Sequence, residues 1–278
     1  MVSGFHLPPV GFGPGSQPED DDGELAYMAL PSGMRTYSAH VPDVGDLASV
    51  APALGLLRRV ALACDAAAAS GRGEIFDLAG MGAEPRRLIA ETLGQGEVSM
   101  KVQGVPALAV QESVFAGVWQ IAGAGVDRIE VAGVPAVAMA RAHAPRRAAL
   151  GRAAPRGPGV VNAPPLLTEL ADRAAAFRPG APTHAVNLTL LPHTPEDLGW
   201  LDAALGEGAV TILSRGYGNC RVTACALAPV WRVQYFNSMD ALILDTFEIT
   251  AMPEVALAAP EDLTDSAARL REVLEAIR

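Results

Sequence analysis

A repeat with a spacing of 112 residues constrains the fold of this chain more than any other feature of its sequence. Shifted by that distance, residues 93–119 align without a gap on residues 205–231, and 9 of the 27 aligned pairs are identical. The alignment resumes after an insertion of 6 residues, where Pro135 meets Pro253. The shared residues include three glycines and one tryptophan, which is Trp119 in one copy and Trp231 in the other. We therefore expect one structural unit to occur twice.

The composition indicates a folded chain that does not bind nucleic acid. At 278 residues, half of them hydrophobic, the chain is long enough to bury a large core. Its net charge of −10 would repel a polyphosphate, and the sequence has no basic cluster to offset that charge. No run approaches the roughly 20 apolar residues of a membrane span, and the first residues do not resemble a signal peptide. We expect no membrane span and a cytoplasmic location.

Residues 1–50 are rich in turn formers. Proline lacks an amide donor and glycine is costly to order, so this stretch is predicted to form an extended or irregularly packed arm. The arm contains the acidic run Glu19–Asp22, which is typical of a solvated surface.

Helix and strand patterns then follow in the same order in both copies. In the first copy the pattern predicts a helix at 54–68, a short strand at 74–78 and a helix that ends at Gly94. The second predicts a helix at 164–177, a strand at 184–191 and a helix from Thr194 to Gly206. Strands are then predicted near 209–214, 219–226, 230–236 and 241–250, before a last helix at 261–277.

Short connections between successive strands imply antiparallel neighbours. The predicted fold class is α+β, with two duplicated units, each a helix, a strand and a helix followed by an antiparallel β-meander packed on helices. We place the arm at 1–50, the first repeat at 51–155 and the second at 156–278, with an exposed linker at 146–158. The sequence leaves open whether the repeats share one sheet.

The sequence contains no recognisable catalytic or metal-binding motif. Its five histidines show no ligand spacing on one helix, and its glycines are explained as helix stops and turns. Cys220 and Cys225 are predicted to lie on opposite faces of one strand, about 16 Å apart, beyond disulfide or shared-metal reach. Cys64 is predicted to lie in the core. For Cys220 the alternatives are a small buried hydrophobe and a contact or thiol role. We predict no cofactor and no metal.

The aromatic residues fall into two groups. Trp119 and Trp231 occupy the same position in both copies and are predicted to be core residues. The segment 231–240 carries residues that the first copy lacks, and it sets aromatic and methionine side chains at a turn. Such side chains favour a partner-binding surface, with partial burial as the competing explanation.

Residues 212–274 closely resemble the C-terminal domain of the HupH/HyaF hydrogenase-expression family, and residues 13–22 and 30–34 resemble its N-terminal region. The segment Gly216–Arg221, with the sequence GYGNCR, is the most recognisable motif. The resemblance implies a non-catalytic maturation factor or chaperone for the iron–sulfur small subunit of a membrane-bound uptake [NiFe] hydrogenase, acting before export. It also implies a thioredoxin-like HupG/HyaE-type partner.

The family offers no agreed catalytic residues, so the candidate site is one for partner binding. Its residues are Gly216, Tyr217, Gly218, Asn219, Cys220, Arg221, Tyr235, Phe236, Asn237 and Met239. Two alternatives stay open at this point. One is a thiol-dependent role in which Cys220 ligates or protects iron–sulfur chemistry. The other is a small-molecule enzyme that uses a cleft between the copies.

Overall fold

The structure is a computed structural model that describes residues 41–277 except Asp43 and Tyr217. Most of the predicted arm and one candidate site residue, Tyr217, therefore lie outside the described residues. The helices of the described part are α1 (Leu47–Ser70), α2 (Ala83–Leu93), α3 (Ala136–Arg141), α4 (Ala163–Ala176), α5 (Pro195–Leu205) and α6 (Pro260–Ala276). The strands are β1 (Glu74–Asp77), β2 (Val98–Val102), β3 (Leu108–Glu112), β4 (Val118–Gly123), β5 (Val126–Val131), β6 (His184–Asn187), β7 (Val210–Ser214), β8 (Asn219–Ala224), β9 (Val230–Phe236) and β10 (Leu242–Ile249).

These ten strands form one antiparallel sheet in the order β1-β5-β4-β3-β2-β7-β8-β9-β10-β6. The two halves of the sheet meet where β2 pairs with β7, with Met100 opposite Ile212. Counted outward from that pair, each half is a four-stranded meander followed by one edge strand. The predicted α+β class is confirmed, and both halves of the chain contribute to a single sheet.

The predicted helix ends are set by local chemistry. At the start of α5 the Thr194 side chain accepts a hydrogen bond from the Asp197 N–H, and the Asp197 carboxylate accepts one from the Thr194 N–H. This reciprocal capping satisfies two amides that a helix start would leave unpaired. Gly206 ends α5 at a φ of 66°, and a Cβ there would lie 2.5 Å from the Arg147 carbonyl oxygen. Only glycine fits that position without a shift of the backbone.

Two element boundaries differ from the prediction. Helix α1 begins at Leu47, inside the stretch assigned to the arm, because Asp46 caps it by accepting the Ala48 N–H at 3.0 Å. The predicted strand 184–191 was wrong beyond Asn187. There the Asn187 side chain accepts the Thr189 N–H, and residues Leu188–Leu190 form a 3-10 turn instead. A local hydrogen bond from a backbone N–H to a side chain thus replaces the hydrogen bonds that a longer strand would make to its neighbour.

Helix α1 is long and apolar enough to cross a membrane by length and composition alone, which the search for apolar runs had not anticipated. Half of its most apolar window is buried inside the molecule. Its buried side chains pack with α2 and α6 in one hydrophobic cluster that includes Cys64, as predicted for that cysteine. This burial is the pattern of a core helix.

The core lies on both faces of the sheet. Trp119 and Trp231 are fully buried on one face, as predicted, in a cluster covered by α3 and the 3-10 turn Glu254–Ala256. Their indole N–H groups donate to the carbonyl oxygens of Ala132 and Thr250. On the other face, α1, α2 and α6 cover the half with β1, whereas α4 and α5 cover the half with β6. Between these two helical layers the middle strands expose side chains such as Lys101 and Arg221.

The predicted linker 146–158 is mostly exposed but is held to the second half. Arg146 forms an ion pair with Glu207 at 2.7 Å, and Arg147 forms one with Asp202 at 2.8 Å. Backbone hydrogen bonds between Arg147 and Glu207 join the same two segments. The segment therefore has a fixed course beside α5.

Candidate functional site

The segment Gly216–Arg221 forms the turn between β7 and β8 and the first residues of β8. Gly216 lies directly against the Glu97 side chain, because a Cβ at this position would lie 2.1 Å from a Glu97 carboxylate oxygen. Gly218 has a φ of 97°, a conformation that favours glycine. Next to the turn, the Arg215 N–H donates to the Glu97 carbonyl oxygen at 3.2 Å. Gly218 therefore has a backbone reason to be glycine, whereas at Gly216 the exposed Glu97 side chain could move to admit a Cβ.

The turn between β9 and β10 lies at the same end of the sheet. The Asn237 side-chain oxygen accepts the N–H groups of Met239 and Ala241, both at 2.9 Å. The Asn237 N–H donates to the Ala241 carbonyl oxygen, also at 2.9 Å. These bonds fix the tip, and the side chain of Met239 is 81% exposed. Asn237 therefore orders the turn that presents Met239 to solvent.

The register of β8 and β9 brings the two predicted segments together. Asn219 stands opposite Phe236, and Cys220 stands opposite Tyr235. A cleft of about 410 Å³ opens beside them. Its lining comprises Leu213, Ser214, Arg215, Asn219, Cys220, Arg221, Phe236 and Asp240. Four of these residues were predicted for the site.

The other half of the lining was missed by the sequence analysis. Leu213, Ser214 and Arg215 come from the end of β7, and Asp240 comes from the β9–β10 turn. Their proximity depends on the pairing of β7 with β8, in which Leu213 stands opposite Arg221. Alternation of apolar and polar residues predicts a strand but not its partner's register, so no sequence signal pointed to these residues.

Arg221 and Phe236 form the exposed side of the cleft. The guanidinium of Arg221 lies over the Phe236 ring, with its central carbon 5.4 Å from the ring centroid. Phe236 itself is half-buried, so both explanations given for this segment hold in part. An arginine stacked on an aromatic ring is a frequent feature of protein interfaces.

Cys220 is a buried residue rather than an open thiol. It is 3% exposed and packs in the cluster of Trp119 and Trp231. Burial raises the pKa of its thiol to about 11, although a hydrogen bond with the Tyr235 side chain acts in the opposite direction. Burial likewise raises the pKa of Tyr235 to about 12, and the Cys220 thiol adds to that shift. The thiol is therefore protonated near neutral pH, whereas the thiolate is the nucleophile and metal ligand.

Cys225 lies on the other face of the sheet, as predicted. Cys220 belongs to the cluster under α3, and Cys225 belongs to the cluster under α4 and α5. Burial also raises the pKa of Cys225, to about 12. The two thiols therefore face away from each other across the sheet.

The junction between the two halves is a hydrogen-bonded ladder rather than a cleft. Five residue pairs, from Val98 and Ser214 to Val102 and Val210, join β2 to β7. Within residues 41–277, as far as they are described, no three His, Cys, Asp or Glu side chains converge at metal-binding distance.

The comparison with known proteins covers almost the entire chain. The model of the family described as "HupH hydrogenase expression protein, C-terminal conserved region" matches residues 50–150 and again residues 160–277. The hydrogenase expression/formation protein HupH of Rhodobacter capsulatus is 66% identical over 278 residues, which is 100% of both chains. The hydrogenase-1 operon protein HyaF of Escherichia coli K12 is 30% identical, with 98% of this chain and 95% of HyaF aligned.

A solved structure shows a more distant likeness. The hydrogenase expression protein HupH from Thiobacillus denitrificans is 28% identical and covers 42% of this chain and 97% of its own, at a TM-score of 0.39. The assignment depends instead on the two family matches and on the full-length relatives. The chain belongs to the HupH hydrogenase expression protein family.

Proposed function

We propose that this protein is a non-catalytic accessory factor that binds an immature hydrogenase component during hydrogenase maturation. The observation that carries the proposal is its full-length similarity to proteins named for hydrogenase expression and formation. The site supports it, because the end of β8 and β9 presents an arginine, an aromatic ring and an exposed methionine. These are the residue types that protein interfaces favour.

The component that we propose as the partner is the iron–sulfur small-subunit precursor of a membrane-bound uptake [NiFe] hydrogenase. The family resemblance is the reason for choosing this subunit and for placing the encounter in the cytoplasm, before export. A thioredoxin-like protein of the HupG/HyaE type is a second proposed partner on the same ground. The candidate residues for these contacts remain the motif Gly216–Arg221 and the segment Tyr235–Met239.

We also propose that the two halves descend from a duplicated unit, with the boundaries 51–155 and 156–278. Helices α2 and α5 begin and end at positions 112 apart, and β2 and β7 begin at positions with the same separation. The strand order is the same in both halves when counted from the β2–β7 pair. In each half a tryptophan N–H donates to a carbonyl oxygen near the end of the outer meander strand.

Purification of the tagged protein from its own host during hydrogenase expression tests the main proposal. The precursor of the small subunit should co-purify with the wild-type protein. It should be lost from a variant with Tyr235→Ala, Phe236→Ala and Met239→Ala that remains folded by circular dichroism. Recovery of the precursor with both proteins would support the proposed function but show that the binding site lies elsewhere. Absence of every hydrogenase component would contradict the proposal.

The thiol alternative has a separate test, because Cys220 is buried with a raised pKa. A Cys220→Ser variant keeps the size of the side chain and removes the sulfur. Hydrogenase activity in the host should remain near the wild-type level, since a binding surface does not need a thiolate. Loss of activity in a folded Cys220→Ser variant would instead favour a role in iron–sulfur chemistry. Cys225→Ser serves as the matched control, because that thiol is equally buried on the other face.

A further inference from the structure

An exposed apolar band crosses the helix-covered face of the sheet at the end that carries the candidate site. On this face Leu242 of β10 stands directly opposite Phe236 of β9, and Leu213 of β7 stands opposite Arg221, two residues further along the strands. Beyond β10, the 3-10 turn Leu188–Leu190 packs along its first residues, and Thr189 accepts the Asp245 N–H. The exposed fractions are 43% for Leu213, 81% for Met239, 48% for Leu242, 56% for Ile243, 79% for Leu190 and 37% for Leu191.

The corresponding corner of the other half provides an internal comparison, because polar contacts hold α2 against the start of β5 there. There Arg86 of α2 donates to the carbonyl oxygens of Leu78 and Met81 and forms an ion pair with Asp127 of β5. Val126, the first residue of β5, packs against the buried cluster. The first half exposes Val105 of the β2–β3 turn, whereas the second half exposes apolar side chains on neighbouring strands and in the β9–β10 turn. Clustered exposed apolar side chains of this kind mark interaction sites.

The charges around the band identify the chemistry of its occupant. Arg215 and Arg221 line the cleft, and neither forms an ion pair with any residue that the structure describes. The neighbouring carboxylate of Asp245 is already bound by Arg232 through two hydrogen bonds of 3.0 and 2.6 Å. Asp240 is the acidic residue of the lining, and the Glu97 carboxylate lies against Gly216.

Arg221 is the arginine that lies beside the apolar side chains of the band. Arg221 is stacked on Phe236 with its guanidinium exposed, in the middle of the apolar band. Its cross-strand neighbours are Leu213 and Gln234, so an apolar side chain lies on one side of Arg221 and the Phe236 ring lies under it. An arginine in such a setting binds a carboxylate through two parallel hydrogen bonds more strongly than at an open surface.

We propose that this band is the docking surface for an apolar segment of a partner protein that carries an acidic side chain. The apolar residues of the segment pack on Leu213, Phe236, Met239 and Leu242, and its carboxylate binds the Arg221 guanidinium. The inference deepens the proposed function and rests on it for the identity of the partner. A second copy of this chain fits less well, because two surfaces that each carry Arg221 and belong to chains of the same net charge would repel.

The test uses the full-length protein and a pair of synthetic amphipathic peptides. The peptides share one apolar pattern and differ only in carrying glutamate or lysine at their polar positions, and their affinity is measured by fluorescence anisotropy. The wild-type protein should bind the glutamate peptide about tenfold more tightly than the lysine peptide. Met239→Ser with Leu242→Ser should weaken both peptides, whereas Arg221→Glu should invert the preference between them.

The groove between α1 and α6 supplies the matched control, because it also combines an exposed leucine with an arginine. Leu62→Ser with Arg58→Glu alters that groove and should leave both affinities unchanged. Equal affinity for the two peptides, tighter binding of the lysine peptide, or an equal loss in the control variant would overturn the proposal. So would self-association in analytical ultracentrifugation that the Met239 and Leu242 changes abolish. The peptides contain no hydrogenase sequence. A negative result with them is therefore distinct from a failure of the small-subunit precursor to co-purify, which would contradict the proposed function.

Discussion

At the scale of single residues, Glu112 makes stability depend on pH in a direction opposite to most carboxylates. It is buried, and that burial raises its pKa from 4.5 to about 7, although the N–H of Gly117 donates to its carboxylate. The folded protein therefore binds a proton on Glu112 more tightly than the unfolded chain. The contribution of protonated Glu112 to the free energy of unfolding is fully present below pH 4.5 and is lost as pH rises to about 7. The total loss is up to about 3 kcal/mol.

We expect Glu112→Gln to raise the free energy of unfolding above pH 7, because the amide remains neutral and its oxygen still accepts the Gly117 N–H. Urea denaturation between pH 5.5 and 8 should show a flatter dependence for this variant. Glu272→Gln on α6 is the control, since that side chain is exposed and its replacement should leave the pH profile unchanged. A wild-type profile that rises across this range would contradict the assignment.

Asp197 shows how one side chain can organise two helices. Its carboxylate accepts the N–H groups of Val161, Asn162 and Ala163 at the start of α4, at 2.8 to 2.9 Å, and that of Thr194. Burial alone would raise its pKa, but these backbone bonds lower the value to about 2. The sequence identified Asp197 as a first-turn acid of α5. It gave no sign of the link to α4, because that link spans 34 to 36 residues.

Asp197→Ala should lower the free energy of unfolding by about 3 kcal/mol, because four N–H groups, of which that of Ala163 is buried, would lose their shared acceptor. Urea denaturation at neutral pH measures the loss. Glu196→Ala, at the exposed neighbouring position in the same helical turn, should cost much less. Because the folded-state pKa is depressed, the Asp197 contribution is present above pH 3.8 and is lost as pH falls towards 2. Similar losses for the two variants at neutral pH would contradict this role.

At the scale of elements, α6 joins the two ends of the described chain. It follows the second half in sequence but packs on α1, and Ser266 donates to the Ala116 carbonyl oxygen in the first half. Leu270 of α6 is fully buried in that cluster. Leu270→Ala should therefore lower the free energy of unfolding by about 2 to 5 kcal/mol and increase hydrogen exchange in α1. An effect confined to α6 would show that α1 is held by other contacts.

Most elements were predictable from the sequence, but their assembly was not. Gly94, Thr194 and Gly206 fix helix ends through local chemistry, and the alternation of residues from Val98 to Val102 identifies a strand. The start of α1 was missed because residues 1–50, which are rich in turn formers, were assigned to the arm. Of the candidate residues, Asn219, Cys220, Arg221 and Phe236 line one cleft. Leu213 and Asp240 join them only through the pairing of strands, which a pattern within one segment does not encode.

At the scale of the whole molecule, the continuous sheet predicts that the two halves unfold together. The β2–β7 ladder runs through the centre of the sheet, and α6 crosses from one half to the other. Neither half can open without exposing a sheet edge or losing a helix that covers its core. We therefore expect one cooperative transition in differential scanning calorimetry, even though the sequence contains a repeat.

Matched core changes in the two halves test this expectation. Leu57→Ala in α1 and Leu201→Ala in α5 each remove one core leucine from one half, and both leucines are at most 1% exposed. Both should lower the midpoint of the same single transition, and hydrogen exchange should rise in peptides from both halves. Two separate transitions, or exchange that rises only in the altered half, would show that the ladder between β2 and β7 does not couple them. In that case a partner bound at the end of the sheet where β8 begins and β9 ends would stabilise only the second half against unfolding. If the β2–β7 ladder couples the halves, the same contact stabilises the entire sheet.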